Sequence, residues 1–200
     1  MLITIEGCVG AGKTTVAQGL ARLRGSAVLL EDYESNPFLK PFYKNPEENA
    51  LEVEFTFLLL HSHQLKTVAS IVGSRSSEVV ADFHLWKDLI YADLNLADRR
   101  TLGVFKELHT ILSERTAMPS LMILLSASTE LILERIARRS REYEQRVNSE
   151  YFAKLNDAYK RAFEQHQGQK ICVSMDSWDF VKDTSRFHEL SLLVDRKLKA

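Results

Sequence analysis

The sequence predicts an α/β protein, a five-stranded parallel sheet with helices on both faces. Three observations lead there. Short runs that are apolar throughout, without the alternation of a half-exposed strand, recur along the chain. Longer stretches with apolar residues every three or four positions separate them. The 200 residues, 45% hydrophobic and 26% charged, fit one domain over 1–200.

Leu2–Glu6 is a buried strand that stops at Gly7. Lys13–Arg24 is a helix, with Val16, Ala17, Leu20 and Leu23 at helical spacing and Gly25 ending it. Ala27–Leu30 is a second buried strand. Asn36 to Pro46 holds Pro37, Pro41 and Pro46, so a long regular helix is excluded there. Helix resumes near Glu47 and runs to about Val72, stopping at Gly73. Val79–Asp82 is the third strand, and a helix follows soon after. Arg99–Arg115 is a helix and Leu121–Leu125 the fourth strand. Ser128–Arg139 and Ser149–Gln165 are amphipathic helices. Lys170–Val173 is the fifth strand, and Asp183–Lys199 a last helix with Asp183 as its N-cap. Ligands of such sheets sit beyond the carboxyl ends of the strands. That singles out Gly7–Thr15, Glu31–Asp32, Asp82 and Ser126.

Composition narrows the function. Eight glycines and four prolines exclude a collagen-like or low-complexity chain. A net charge of −1 gives no global pull toward nucleic acid or an anionic membrane, and neither is expected as a partner. The longest apolar run, Phe55 to Leu60, is too short to span a bilayer. Met1 leads into Leu-Ile-Thr-Ile with no basic leader, so no secretory signal is expected. Cys8 and Cys172 are expected as free thiols in a reducing cytoplasm. His61-x-His63 points to opposite sides of a helix, which argues against a metal pair.

Gly7-Cys8-Val9-Gly10-Ala11-Gly12-Lys13-Thr14, followed by Thr15, matches G-x-x-x-x-G-K-[ST] between a strand and a helix. The glycines let successive N–H groups turn inward onto phosphate oxygens. The helix beginning at Lys13 points its positive end at the same anion. Lys13 adds an ammonium for the terminal phosphates, and the Thr14 hydroxyl can ligand Mg²⁺. The loop therefore calls for a nucleoside triphosphate. Asp82, at the end of an apolar strand, is the candidate second magnesium ligand; a helix N-cap is its other reading.

Arg135, Arg138, Arg139 and Arg141 follow the fourth strand, and the first three share one helix face. Such a run is often a solvated face. At the ligand edge of a triphosphate-binding protein it reads instead as a basic lid over the phosphates. Ser126-Ala127-Ser128-Thr129 after the fourth strand contains no guanine-reading N-K-x-D, so a GTPase is excluded. A small-molecule kinase remains. Such an enzyme needs a carboxylate near the acceptor hydroxyl, and Glu31 is placed for it, while Asp32 points elsewhere. The aromatic-rich stretch from Tyr33 to Tyr43 suits a flat base and a sugar, or plugs the core.

These residues resemble the deoxynucleoside kinase family, most of all its bacterial branch, over nearly the whole length. The similarity lies in Glu6-Gly-Cys-Val-Gly-Ala-Gly-Lys-Thr-Thr15, Glu31, Asn36-Pro-Phe-Leu, Phe42-Tyr43, Val80-Ala-Asp82 and Arg135-Ile-Ala-Arg-Arg-Ser-Arg141 with Glu144. Tyr151 and Leu155 continue it. The resemblance implies a three-layer P-loop kinase fold with an Arg-rich lid. It implies transfer of the γ-phosphoryl group of ATP, with Mg²⁺, to the 5′-hydroxyl of a deoxynucleoside, and commonly a homodimer. Glu31 matches the general base, and Tyr43 and Glu144 the pair that holds the sugar 3′-hydroxyl. Arg135, Arg139 and Arg141 match the lid arginines, and Asp82 the acidic residue of an acid-Arg-Ser signature. Here that signature reads Asp82-Phe83-His84, and Lys87 is expected to supply the missing charge. The family's base-reading glutamine is replaced by Glu52 or Glu54, with Phe57 also on the substrate side. A carboxylate could bridge two adjacent guanine donors, whereas adenine and cytosine suit an amide better, so the expected purine preference leans toward deoxyguanosine.

Two alternatives are weighed against this. A thymidylate kinase-like monophosphate kinase would need extra basic residues, and Asp32–Pro46 has only Lys40 and Lys44. A non-catalytic nucleotide-gated module would have no need of Glu31.

Overall fold

A computed structural model describes residues 1–68, 71, 78–141, 143 and 148–199. Its single sheet comprises β1 (Leu2–Glu6), β2 (Ala27–Leu29), β3 (Val79–Ala81), β4 (Leu121–Ser126) and β5 (Lys170–Ser174). All pairings are parallel, in the order β2-β3-β1-β4-β5. Parallel neighbours need crossovers, and helices supply them: α1 (Lys13–Arg24), α2 (Leu39–Lys44), α3 (Pro46–Lys66), α4 (Trp86–Asn95), α5 (Arg99–Ser113), α6 (Thr129–Arg139) and α7 (Ser149–Gln165); α8 (Ser185–Lys199) follows the last strand.

The sheet's composition follows burial. β1 and β3 are buried at every residue and β4 at all but its last; β3 and β4 are accordingly apolar along their buried lengths, while β1 buries Thr4 and Glu6 as well. Each fully buried Leu or Ile there contributes about 1.5–3 kcal/mol. The two edge strands differ from the expectation of full burial. β2 is half-exposed, with Val28 at 42%, and β5 buries only Val173 fully. An edge strand has a neighbour on one side only, so part of its apolar surface stays wet.

Helix ends follow local chemistry. The Ser128 hydroxyl accepts from the Leu131 amide and starts α6, and Asn148 caps α7 in the same manner. Pro46 is the first residue of α3, where a missing N–H costs nothing. Pro41 sits in the first turn of the six-residue α2, so the proline-rich stretch contains a short helix but no long one. Regular α3 ends at Lys66, and the expected stop at Gly73 lies outside the described residues. Asp183 receives the Ser185 amide and hydroxyl just ahead of α8, two residues later than the expected helix start.

Candidate active site

Gly7 can only be glycine. Its φ is +147°, and a Cβ there would lie 2.8 Å from the Leu125 carbonyl oxygen. Gly12, with φ +101° and ψ 19°, turns the chain into α1 from the left-handed region. Val9, Gly10, Gly12, Lys13, Thr14 and Thr15 line a cavity of about 860 Å³ at the carboxyl edge of the sheet. Gly7, Cys8 and Ala11 lie beneath it. Their carbonyl oxygens are tied down: Lys13 Nζ donates to Gly7 at 2.8 Å and Cys8 at 3.2 Å, and Arg135 Nη1 donates to Ala11 at 2.9 Å. Burial and the nearby Lys87 ammonium lower the pKa of Lys13.

Asp82 joins the two halves of the cavity. One carboxylate oxygen accepts from the Thr14 hydroxyl at 2.6 Å, the other from the Glu31 backbone amide at 2.7 Å. Parallel β1 and β3 are neighbours, with Thr4 opposite Ala81, so the residues that follow them meet at one edge.

Glu31 lies under two donors. Lys87 Nζ is 2.5 Å from its Oε1, and His61 Nε2 is 3.1 Å from the same oxygen. Burial alone would raise the Glu31 pKa, but Lys87 and His61 hold it well below the usual carboxylate range. On the other side of the ring, His61 Nδ1 lies 2.8 and 3.0 Å from the two Asp88 oxygens. Burial disfavours the imidazolium, yet Asp88 carries its pKa up to about 9. At neutral pH the two cations and two carboxylates sum to zero. Burial of such a cluster is tolerable only as a unit.

The two residues that follow Asp82 make structural contacts. Phe83 is fully buried and packs against the His61 ring, at 4.9 Å between centroids. His84 receives the Trp86 amide and faces the Ala117 carbonyl oxygen, which ties down the start of α4. Lys87, in the first turn of α4, brings the cation to Glu31.

On α3, Glu54 lines the cavity and Glu52 does not. Asn95 Nδ2 donates to Glu54 Oε1 at 2.7 Å and also reaches the Tyr151 hydroxyl at 3.3 Å. Burial pushes the Glu54 carboxyl up to about 8, with the Asn95 bond opposing, so it is neutral at pH 7. The physical basis for a bidentate carboxylate on guanine therefore falls away. A neutral carboxyl offers one donor and one acceptor, as an amide does.

The aromatic stretch is shared between pocket and core. Tyr33, Phe42 and Tyr43 line the cavity, and Phe57 stacks on His61 at 5.2 Å and 21°. Asp32 caps the short 3₁₀ turn Tyr33–Ser35 and does not line the cavity. Arg135, Arg138, Arg139 and Arg141 all face the cavity. The Arg141 guanidinium sits 4.1 Å above the Tyr33 ring, and Tyr143 stacks on Tyr43 at 5.4 Å. The arginine segment thus touches acceptor-side aromatics as well as the phosphate loop. Ser140, with φ 55°, ends α6 in the left-handed region without a glycine. Glu144 lies outside the described residues.

Sequence reasoning missed His61, Asp88 and the wall formed by Met175 and Phe180–Lys182 after β5, and Asn95, which reaches the cavity only through Glu54. A signal for His61 was present. Ala50, Val53, Leu58 and Leu65 make a buried stripe along α3, and Glu54 and His61 are the charged or titratable residues that share it. An ionisable group on an apolar stripe needs a buried partner.

Comparison with known proteins shows the family. The family model described as deoxynucleoside kinase matches residues 3–198. A deoxyguanosine kinase of Bacillus subtilis is 32% identical over 197 residues, covering 96% of this chain and 95% of its own. A deoxyadenosine kinase of Lactobacillus acidophilus is 28% identical over 215 residues, covering 99% and 96%. The structure of a deoxyadenosine kinase from M. mycoides, with the products dCMP and a flexible dCDP bound, superposes with a TM-score of 0.82. It is 24% identical and covers 98% of this chain and 99% of its own. With the deoxynucleoside kinase model matched over residues 3–198, this protein belongs to the deoxynucleoside kinases, enzymes that phosphorylate the hydroxyl of a deoxynucleoside.

Proposed function

We infer that the chain transfers the γ-phosphoryl group of ATP to the 5′-hydroxyl of a purine deoxynucleoside. The observation that carries this reading is the Thr14–Asp82–Glu31 chain, which links a phosphate loop to a carboxylate on the acceptor side. The triphosphate lies along Gly7–Thr15 with Lys13 turned from the loop carbonyls to the phosphates. Arg135, Arg139 and Arg141 neutralise charge as the phosphoryl group moves. Glu31 accepts a hydrogen bond from the 5′-hydroxyl and orients it. With so low a pKa, it takes the proton only late, as fits a loose transition state. Lys87 adds positive charge beside it.

The Thr14 hydroxyl and Asp82 carboxylate fit Mg²⁺, being hard oxygen donors 2.6 Å apart at the phosphate edge. When bound, the ion would neutralise phosphate charge. On the acceptor side, Tyr43 and Glu144 hold the sugar, Phe57 flanks the base and neutral Glu54 reads its edge. Every base places a donor beside an acceptor on that edge, so neutral Glu54 admits a purine without by itself selecting one. The names of the two curated relatives, one for each purine, support the purine preference.

Leu51 and Leu59 on α3 and Val104 and Ile111 on α5 are about half-exposed on two packed helices, which supports a homodimer. No helix among the described residues is long and apolar enough to cross a membrane. The free thiols of Cys8 and Cys172 fit the cytoplasm. The deciding experiment supplies Mg-ATP with each of the four deoxynucleosides and, separately, their monophosphates. Deoxyadenosine and deoxyguanosine are expected to be phosphorylated fastest. Turnover of a monophosphate alone, or ADP formation without acceptor, would overturn the reading.

A further inference from the structure

Four charged groups meet beside the acceptor end of the cavity, and the reading above uses only Glu31 and Lys87. We propose that His61 is a positioning residue for Glu31: held between Asp88 and Glu31, its ring fixes one carboxylate oxygen so that the other faces the acceptor hydroxyl. The inference rests on the reading of Glu31 as the acceptor-facing group.

The geometry is specific. His61 is fully buried, and each ring nitrogen faces a carboxylate: Nδ1 lies 2.8 Å from Asp88, Nε2 3.1 Å from Glu31. A carboxylate only accepts, so both nitrogens must donate and the ring is an imidazolium. Phe57, stacked on one side, and Phe83, tilted against the ring, hold its plane. Lys87 and His61 both donate to Glu31 Oε1, and no hydrogen bond among the described residues reaches Oε2. The Glu31 amide is fastened to Asp82 as well. One oxygen is pinned twice, the backbone once, and Oε2 is left for substrate.

The groups facing His61 are Asp88 and Lys87 from α4, Glu31 from the segment after β2, and Glu54 on α3 itself. Asp88 dominates among the favourable contributions and keeps the ring protonated to about pH 9. Above that pH, Nδ1–H stays with Asp88 and Nε2 becomes a lone pair facing Oε1. Glu31 then keeps only Lys87, and its carboxylate is free to turn. A role in packing alone would not depend on that proton.

The test is steady-state kinetics of deoxynucleoside phosphorylation against pH. H61F keeps a ring between Phe57 and Phe83 but removes both donors. It should lower kcat about 10- to 100-fold, the range for groups that orient a functional ligand, with the ATP KM within about twofold. D88N keeps the shape and still accepts from Nδ1–H, so it guards against misfolding in H61F. Without the carboxylate charge the ring loses its proton earlier. The alkaline limb of kcat, expected near pH 9 in the wild type, should move down by about one pH unit or more in D88N. H63Q, at the exposed neighbour His63, should match the wild type throughout. The proposal is overturned if H61F retains kcat within about twofold of the wild type, or if the D88N and wild-type pH profiles superimpose. E31Q separates the two readings. An active E31Q removes both, whereas an inactive E31Q beside an unimpaired H61F removes this one alone.

Discussion

In the function proposed above, the donor side of the cavity is one unbroken stretch, Gly7–Thr15, which binds mainly through its backbone. The acceptor side draws Glu31 from behind β2, Glu54 and His61 from α3, Asp82 from behind β3, and Lys87 and Asp88 from α4. The first is a strand, a tight turn and a helix N-terminus, held by local hydrogen bonds and glycine geometry. The second is a buried cluster of opposed charges whose members are stable only together. Phosphates look alike in every nucleoside triphosphate, so a backbone cradle suffices. A particular sugar and base need side chains converging from several directions.

Removing a side chain from each half should produce different kinetic signatures. The largest effect is expected at Glu31: E31Q should lower kcat by about a thousandfold while leaving the ATP KM near its wild-type value. Initial rates at varied ATP check this, and a shared loss of ATP affinity would show that the halves are not separable. K13A should cost about 100- to 1,000-fold in kcat/KM for ATP while deoxynucleoside binding, followed by calorimetry, is retained.

A smaller, pH-dependent effect is expected at the base. Glu54 is neutral below about pH 8 and offers a donor and an acceptor; above it, only acceptors remain. Wild-type kcat/KM for deoxyadenosine should therefore fall about tenfold relative to deoxyguanosine between pH 7 and pH 9, and E54Q should abolish that divergence. Competition assays with both nucleosides at the two pH values measure it.

The smallest effect concerns stability. Glu6, at the end of β1, is fully buried with both carboxyl oxygens lacking a hydrogen-bond partner among the described residues. Burial raises its pKa to about 8, against the pull of Lys87 and Lys13. Between the ordinary value of 4.5 and about 8 the folded state keeps a proton that the unfolded state has lost. Stability from this group therefore falls as pH rises through that window and levels off above it. E6Q cannot ionise. It should raise Tm by roughly 2–4 °C at pH 8 and by less at pH 5, as read by thermal denaturation.

Legibility in the sequence followed the same division. The G-x-x-x-x-G-K-T loop, the alternation of apolar runs with amphipathic helices, and the arginines of α6 all depend on neighbours within a few residues. Their positions could be read directly, and Ser128 and Asn148 start their helices where local capping chemistry places them. What sequence spacing left open was which distant residues would meet. The resemblance points to Lys87 for the charge missing at Asp82-Phe83-His84, but no spacing says that it would lie against Glu31 itself, or that Glu54 rather than Glu52 would face the cavity. The stripe of α3 hinted at His61, but its purpose depended on Asp88 arriving from another helix.

By itself, the sequence determined a parallel α/β sheet and placed a G-x-x-x-x-G-K-T loop and a cluster of arginines at its carboxyl edge, because periodicity and backbone geometry are local properties. Only the tertiary structure decided the protonation of His61 and Glu54, the pairing of Lys87 with Glu31, and the exposure of the edge strands. Those are set by burial and by charges remote along the chain. Coulomb interactions and desolvation act through space, and no spacing in a linear sequence carries them.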